Sequence, residues 1–102
     1  MNNYYALINK LHAKSGKRDE VIQLLLESGK PFDNNPSCIL YLVYKDAKDS
    51  NTIWVEDVWT NKDDHTTAME QAEMKPFIEK TMPLLEGMPE QFEINFIGGK
   101  GV

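Results

Sequence analysis

The sequence predicts an α+β fold, a four-stranded antiparallel sheet with helices on one face, in the chain order β-α-β-β-α-β. Three observations lead there. Four segments are strand-like, either alternating with period two or continuously apolar over strand length. Two segments repeat apolar residues at helical spacing, and the short polar loop DAKDSN separates the middle two strands. At 102 residues the chain has room for one core of this kind. A single domain over residues 1–102 is expected, with 97–102 as a tail.

Tyr4 to Ala13 alternates. Tyr5, Leu7, Asn9 and Leu11 share one face, and Tyr4, Ala6, Ile8, Lys10 and His12 share the other. Asn9 is the polar exception in an apolar row. The turn Ser15-Gly16-Lys17 follows, where Ser15 or Gly16 is placed to cap a helix. From Lys17 to about Ser28, Val21, Leu24, Leu25 and Ser28 form one stripe, widened by Ile22 and Leu26. Asp19 and Glu20 stand in its first turn, where the helix dipole favours anions. Gly29, Pro31 and the Asn34-Asn35-Pro36 cluster end it.

Cys38–Lys45 and Thr52–Trp59 are the second and third strands, joined across Asp46–Asn51. Thr60 or Asn61 caps a second helix with Asp63 and Asp64 in its first turn. It is expected to break or restart at Lys75-Pro76, because proline disfavours helix in the residue before it. Phe77, Ile78, Met82 and Leu85 continue a helical stripe that stops at Glu86-Gly87-Met88-Pro89. Gln91 to Ile97 alternates again, Phe92, Ile94 and Phe96 against Glu93, Asn95 and Ile97. The sum is the ferredoxin-like split β-α-β arrangement. Its second strand is apolar on both sides, with Ile39, Tyr41 and Val43 opposing Leu40, Leu42 and Tyr44. Helices cover one face only, so a second copy of the chain is the simplest cover for the other, and a homodimer is expected.

Composition excludes several classes. The formal net charge is -5, and the one tight basic group, Lys14, Lys17 and Arg18, is followed at once by Asp19 and Glu20, so no nucleic-acid partner is expected. Cys38 is the single cysteine, which rules out an internal disulfide and any CxxC metal spacing. A small buried residue at a strand start is its plain reading. Two histidines and scattered acids give no metal-ligand spacing, and the terminal Gly98-Gly99-Lys100-Gly101 lacks the strand-loop-helix context of a phosphate loop. Neither a metal nor a cofactor is expected. The N-terminus does not read as a signal peptide and no apolar run approaches membrane-spanning length, so the expected setting is the cytoplasm without a membrane partner.

Four local pieces resemble one family: KLHAKSGK at the end of the first strand, NPSCILYLVYKD into the second, WVEDVWTNKDD out of the third, and AEMKPF where the second helix breaks. From Tyr4 to Ile97 the chain resembles the antibiotic biosynthesis monooxygenase-like proteins of the dimeric α+β barrel superfamily. The resemblance implies a homodimer whose sheets form a barrel, with a ligand cavity between helices and sheet in each subunit. Relatives include cofactor-independent oxygenases acting on quinols or polyketide-derived aromatics, haem-degrading enzymes and proteins of signal turnover. Asn9 matches in position an asparagine that haem-degrading relatives use as a polar contact. Met69 stands where those relatives have a tryptophan, and Glu79 or Lys80 where they have a histidine, so haem chemistry is not expected.

The candidate catalytic residues are Asn9, Asp57 and His65, and the candidate substrate-binding residues are Trp59, Met69, Phe77 and Tyr44. Each has a plainer reading beside it. Asn9 is either a buried amide bonded to backbone or a pocket donor that orients a carbonyl or hydroxyl. Asp57 shares a strand face with Ile53, Val55 and Trp59, whereas Glu56 shares the other with Trp54 and Val58, so the two adjacent acids cannot act as a dyad. Asp57 either pairs with a lysine or with the partner chain or, buried, serves as a base on a phenol. His65 is either solvated in a first helical turn or a base of near-neutral pKa. The aromatic and methionine side chains either fill the core or wall a pocket for a flat substrate.

The function expected from these residues and the resemblance is a cofactor-independent monooxygenase acting on a small aromatic of quinol type. A non-catalytic ligand-binding or stress-associated homodimer, and a non-oxidative enzyme such as an isomerase, remain open alternatives.

Overall fold

The computed structural model describes residues 4–101, so Met1–Asn3 and Val102 of the expected domain lie outside the described residues. Strands β1 (Tyr5–His12), β2 (Cys38–Lys45), β3 (Thr52–Trp59) and β4 (Glu90–Asn95) form one sheet in the order β2-β3-β1-β4. Every neighbouring pair is antiparallel. Helices α1 (Arg18–Gly29), α2 (Lys62–Met69) and α3 (Met74–Thr81) complete the expected ferredoxin-like fold.

Several boundaries move for physical reasons. Lys17, not Ser15 or Gly16, is the N-cap of α1, and it makes no side-chain cap bond. Gly16 is used in the turn instead, at φ +77°, a left-handed conformation that glycine adopts without penalty. At the other end Gly29 is required by close approach rather than by helix termination. A Cβ there would lie 2.5 Å from the Tyr41 ring, which is held against α1 by a 3.0 Å bond from its hydroxyl to the Leu25 carbonyl. The chain then runs on as a 3-10 turn, Lys30–Asn34.

Asn61 caps α2 as expected, its side chain accepting the Asp64 N–H at 2.8 Å. The break between the second helix's two pieces falls at 70–73, and Lys75-Pro76 stands where the helix restarts. Pro76 sits in the first turn of α3, where a backbone N–H has no intrahelical acceptor, so proline removes no bond there. Strand β4 ends at Asn95, two residues short of the expected Ile97.

The core fills the space between sheet and helices in two clusters. One joins Leu11, Ala13, Val21, Ile53, Val55 and Leu85; the other joins Phe32, Trp59, Ala68 and Met74. The face of the sheet turned away from the helices is different. Leu42, Tyr44, Phe92 and Ile94 lie there, each at least 40% exposed. The apolar row of β4 therefore points outward, leaving Gln91 and Glu93 of the opposite parity on the helix side.

Candidate functional site

Between sheet and helices lies a cavity of about 240 Å3. Its floor is the helix-side row of the sheet: Asn9 and Leu11 from β1, Tyr41 from β2, Val55 and Asp57 from β3, and Gln91 from β4. The roof is made at helical spacing by Met74, Phe77, Ile78 and Thr81 of α3. His65 and Met69, one turn apart on α2, close one side, and Leu25, Ser28 and Phe32 close another.

Alternation places Asp57 here. In the central strand β3 it pairs with Leu7 of β1 on one side and Tyr41 of β2 on the other. Its side chain is buried, 4% exposed for the whole residue. Trp59 Nε1 donates to Asp57 Oδ2 at 2.7 Å, and Asn9 Nδ2 donates to Oδ1 at a long 3.4 Å. His65 Nε2 stands 3.8 Å from Oδ2. The imidazole is fixed between rings, edge-on to Trp59 and tilted against Tyr5, each 5.4 Å away between centroids.

Burial dominates the electrostatics. It pushes the Asp57 carboxyl up from 3.8 to about 6, with the Trp59 hydrogen bond opposing and the charge of Glu56 adding to the rise. Burial also lowers the His65 imidazole below its ordinary 6.5. Both shifts disfavour charge. At pH 7 and above, the resting pair is therefore a carboxylate beside a neutral imidazole, two proton acceptors facing one cavity. Cys38, behind Trp59, is pushed up to about 11, chiefly by burial, and stays an unreactive thiol.

Elsewhere the lining hydroxyls are occupied. Ser28 donates to the Leu25 carbonyl at 2.9 Å, Tyr41 to the same carbonyl, and Thr81 to the Phe77 carbonyl at 2.6 Å. The cavity thus has one polar end, made by Asn9, Asp57, His65 and Gln91, and walls that are otherwise apolar or already bonded. No group of three or more histidine, cysteine or acidic side chains that could hold a metal ion occurs among the described residues.

Of the residues singled out from sequence, Asn9, Asp57, His65, Met69 and Phe77 line this cavity. Trp59 does not; fully buried, it stands behind the carboxylate and holds it. Tyr44 lies elsewhere, and its place among the substrate-binding residues is corrected. Its parity on β2 is opposite to that of Tyr41, which turns it to the outer face, where its hydroxyl donates to Glu56 at 2.9 Å. Gln91, Phe32, Ser28 and Thr81 line the cavity and were not among the candidates. The parity of β4 held the signal for Gln91, but the row Phe92, Ile94, Phe96 reads as a core face until the outer face is seen to be apolar too.

The family model of the antibiotic biosynthesis monooxygenases matches residues 4–80. The chain belongs to this family. A solved candidate antibiotic biosynthesis monooxygenase from Chloroflexus aurantiacus J-10-fl is 32% identical, with a TM-score of 0.85 over 96% of this chain and 97% of that one. A second such candidate, from Caulobacter crescentus, is 15% identical, with a TM-score of 0.87 over 95% and 92% of the two chains. SnoaB, a cofactor-independent oxygenase from Streptomyces nogalater, is also 15% identical, with a TM-score of 0.84 over 98% and 99%. At such identities the last two share the fold. No curated protein matches the sequence.

Proposed function

We propose that this family member is a cofactor-independent monooxygenase that oxidises a small electron-rich hydroxyaromatic, a quinol or a related phenol, in the cavity between sheet and helices. The observation that carries the reading is a carboxylate with its pKa raised to about 6, facing an apolar cavity beside an amide donor. A base of this kind is ionised at neutral pH yet basic enough to take a proton from a bound phenol in low dielectric.

Asp57 removes the substrate proton, and the phenolate gives one electron to O2. The radical pair then closes a bond between carbon and oxygen. The neutral Asp57 carboxyl returns its proton to the peroxide, the O–O bond breaks, and the carbon loses its hydrogen. Four electrons pass from substrate to O2, one oxygen remaining on carbon as a carbonyl and the other leaving as water. While negative charge sits on oxygen, Asp57 is neutral and does not repel it, and the Asn9 amide is placed to donate to it. Apolar walls admit O2 and exclude water from the reactive intermediates. His65 serves as the second acceptor beside Asp57. Met69 and Phe77 hold the flat ring.

We also propose that the protein is a homodimer joined through the outer sheet face, where Leu42, Tyr44, Phe92 and Ile94 are exposed in the protomer.

The deciding experiment is oxygen uptake with a panel of quinols and anthrones, without flavin or metal. Uptake that Asp57→Asn and Asn9→Ala abolish, in folded variants, supports the reading. No uptake, with thermal stabilisation by the same compounds, makes the cavity a binding site without turnover.

A further inference from the structure

Gln91 reaches the polar end of the cavity from β4, an edge strand of the sheet. Its partner in the β1–β4 register is Asn9. Gln91 Nε2 donates to Asn9 Oδ1 at 3.0 Å, and Asn9 Nδ2 donates onward to Asp57 Oδ1 at 3.4 Å. The two amides thus form a ladder across three strands, β4 to β1 to β3, with every donor aimed toward the carboxylate.

An asparagine amide has two ends of nearly equal shape and opposite hydrogen-bonding character, so its partners decide which end faces a carboxylate. The Asp57 contact is too long to hold the amide firmly, whereas the Gln91 contact has ordinary length. We propose that Gln91 is a positioning residue for the Asp57 site: it holds the Asn9 amide with its NH2 group turned to the carboxylate and its second hydrogen available to a ligand oxygen. The proposal rests on the reading that Asn9 and Asp57 form the reaction site.

Gln91 acts only through Asn9 in this scheme. The other groups near Asp57 on its face are Tyr5 of β1, Cys38 and Tyr41 of β2, Trp59 of β3 and His65 of α2, and Glu56 acts on it by charge from the opposite face of β3. Among the described residues, the one side-chain bond to Oδ1 is that from Asn9. Loss of Gln91 lets the Asn9 amide turn and weakens the one donor to that oxygen, which favours the protonated carboxyl.

The Asp57 titration, followed by carboxyl 13C NMR, tests this in five proteins: the parent, Gln91→Leu, Gln91→Ala, Asn9→Ala and the double variant Asn9→Ala/Gln91→Leu. Gln91 is exposed on an edge strand, so its replacement leaves the core intact. Gln91→Leu is expected to raise the Asp57 midpoint by roughly half a pH unit. The shorter Gln91→Ala, unable to reach Asn9, is expected to do the same. In the Asn9→Ala background Gln91→Leu is expected to add nothing, as a cycle requires when one residue acts through another. A midpoint unmoved by Gln91→Leu and Gln91→Ala, or a shift that persists without Asn9, overturns the proposal. The measurement needs no turnover. Expected midpoints in a protein that consumes no oxygen would refute the oxygenase reading and leave the positioning role standing.

Discussion

Trp59 Nε1 donates a 2.7 Å hydrogen bond to Asp57 Oδ2, two residues back on the same strand face, and both side chains are buried. The bond holds down a carboxyl that burial and the charge of Glu56 push up, and about 6 is the balance. In Trp59→Phe the ring is largely kept and the donor is lost. The Asp57 pKa is expected to climb further, carrying the acid limb of the pH–rate profile upward. Stability is expected to fall by about 1–3 kcal/mol, because a buried acceptor loses its best partner. A limb that stays at its parent position would mean that Asp57 is not the group titrating in the reaction.

Asp57→Asn is expected to stabilise the fold at neutral pH. The folded carboxyl has its pKa raised from 3.8 to about 6, so the native state binds more protons than the unfolded chain between those values. Parent stability therefore falls as pH climbs through that window and stays lower above it. The variant has no such titration. Its advantage is expected to be absent below pH 3.8 and to reach at most roughly 3 kcal/mol above pH 7. Urea unfolding across that range measures the difference, and a gap independent of pH would show an ordinary carboxyl in the fold.

Alternation along the strands makes much of this site legible in the sequence. In β3 it puts Asp57 on the face of Val55 and Glu56 on the other, and in β1 it marks Asn9 as the lone polar residue in an apolar row. What alternation cannot say is which row of a two-sided apolar strand meets the helices. Tyr41 and Tyr44 differ only in that choice, and so do Gln91 and Phe92. Pro76 leaves break and restart open for a different reason: its effect depends on its distance from a helix start, and no strong cap in the sequence marks Glu73 as that start.

Gly29→Ala is expected to destabilise the protein although it places a better helix former in α1. The gain in propensity is about 1 kcal/mol. Against it, the new methyl would meet two Tyr41 ring carbons at 2.5 and 2.7 Å, and that ring is tethered to the Leu25 carbonyl. Overpacking of this kind costs about 1–3 kcal/mol and moves the obstructing side chain. Tyr41 lines the cavity, so its displacement is expected to weaken ligand binding as well. Thermal unfolding of Gly29→Ala alone and combined with Tyr41→Ala separates the two effects. A single variant as stable as the parent would show that the ring yields without cost.

The outer face offers the clearest test of assembly. Leu42 is 43% exposed and stands opposite Glu56 on the neighbouring strand, with Tyr44 two residues further on. In an isolated protomer Leu42→Lys changes a surface position and is expected to alter folding by less than about 0.5 kcal/mol. In a dimer closed through this face, the same change sets two ammonium groups into an apolar contact that must exclude water, and even with Glu56 opposite, the desolvation of the charge outweighs what the pairing returns. Sedimentation is expected to show twice the chain mass for the parent at micromolar concentration and a single, folded chain for Leu42→Lys. Lys48→Ala, in the hairpin loop, is expected to leave the dimer unchanged. A parent that sediments as one chain would remove the need for any cover and leave the apolar row of β4 without its explanation.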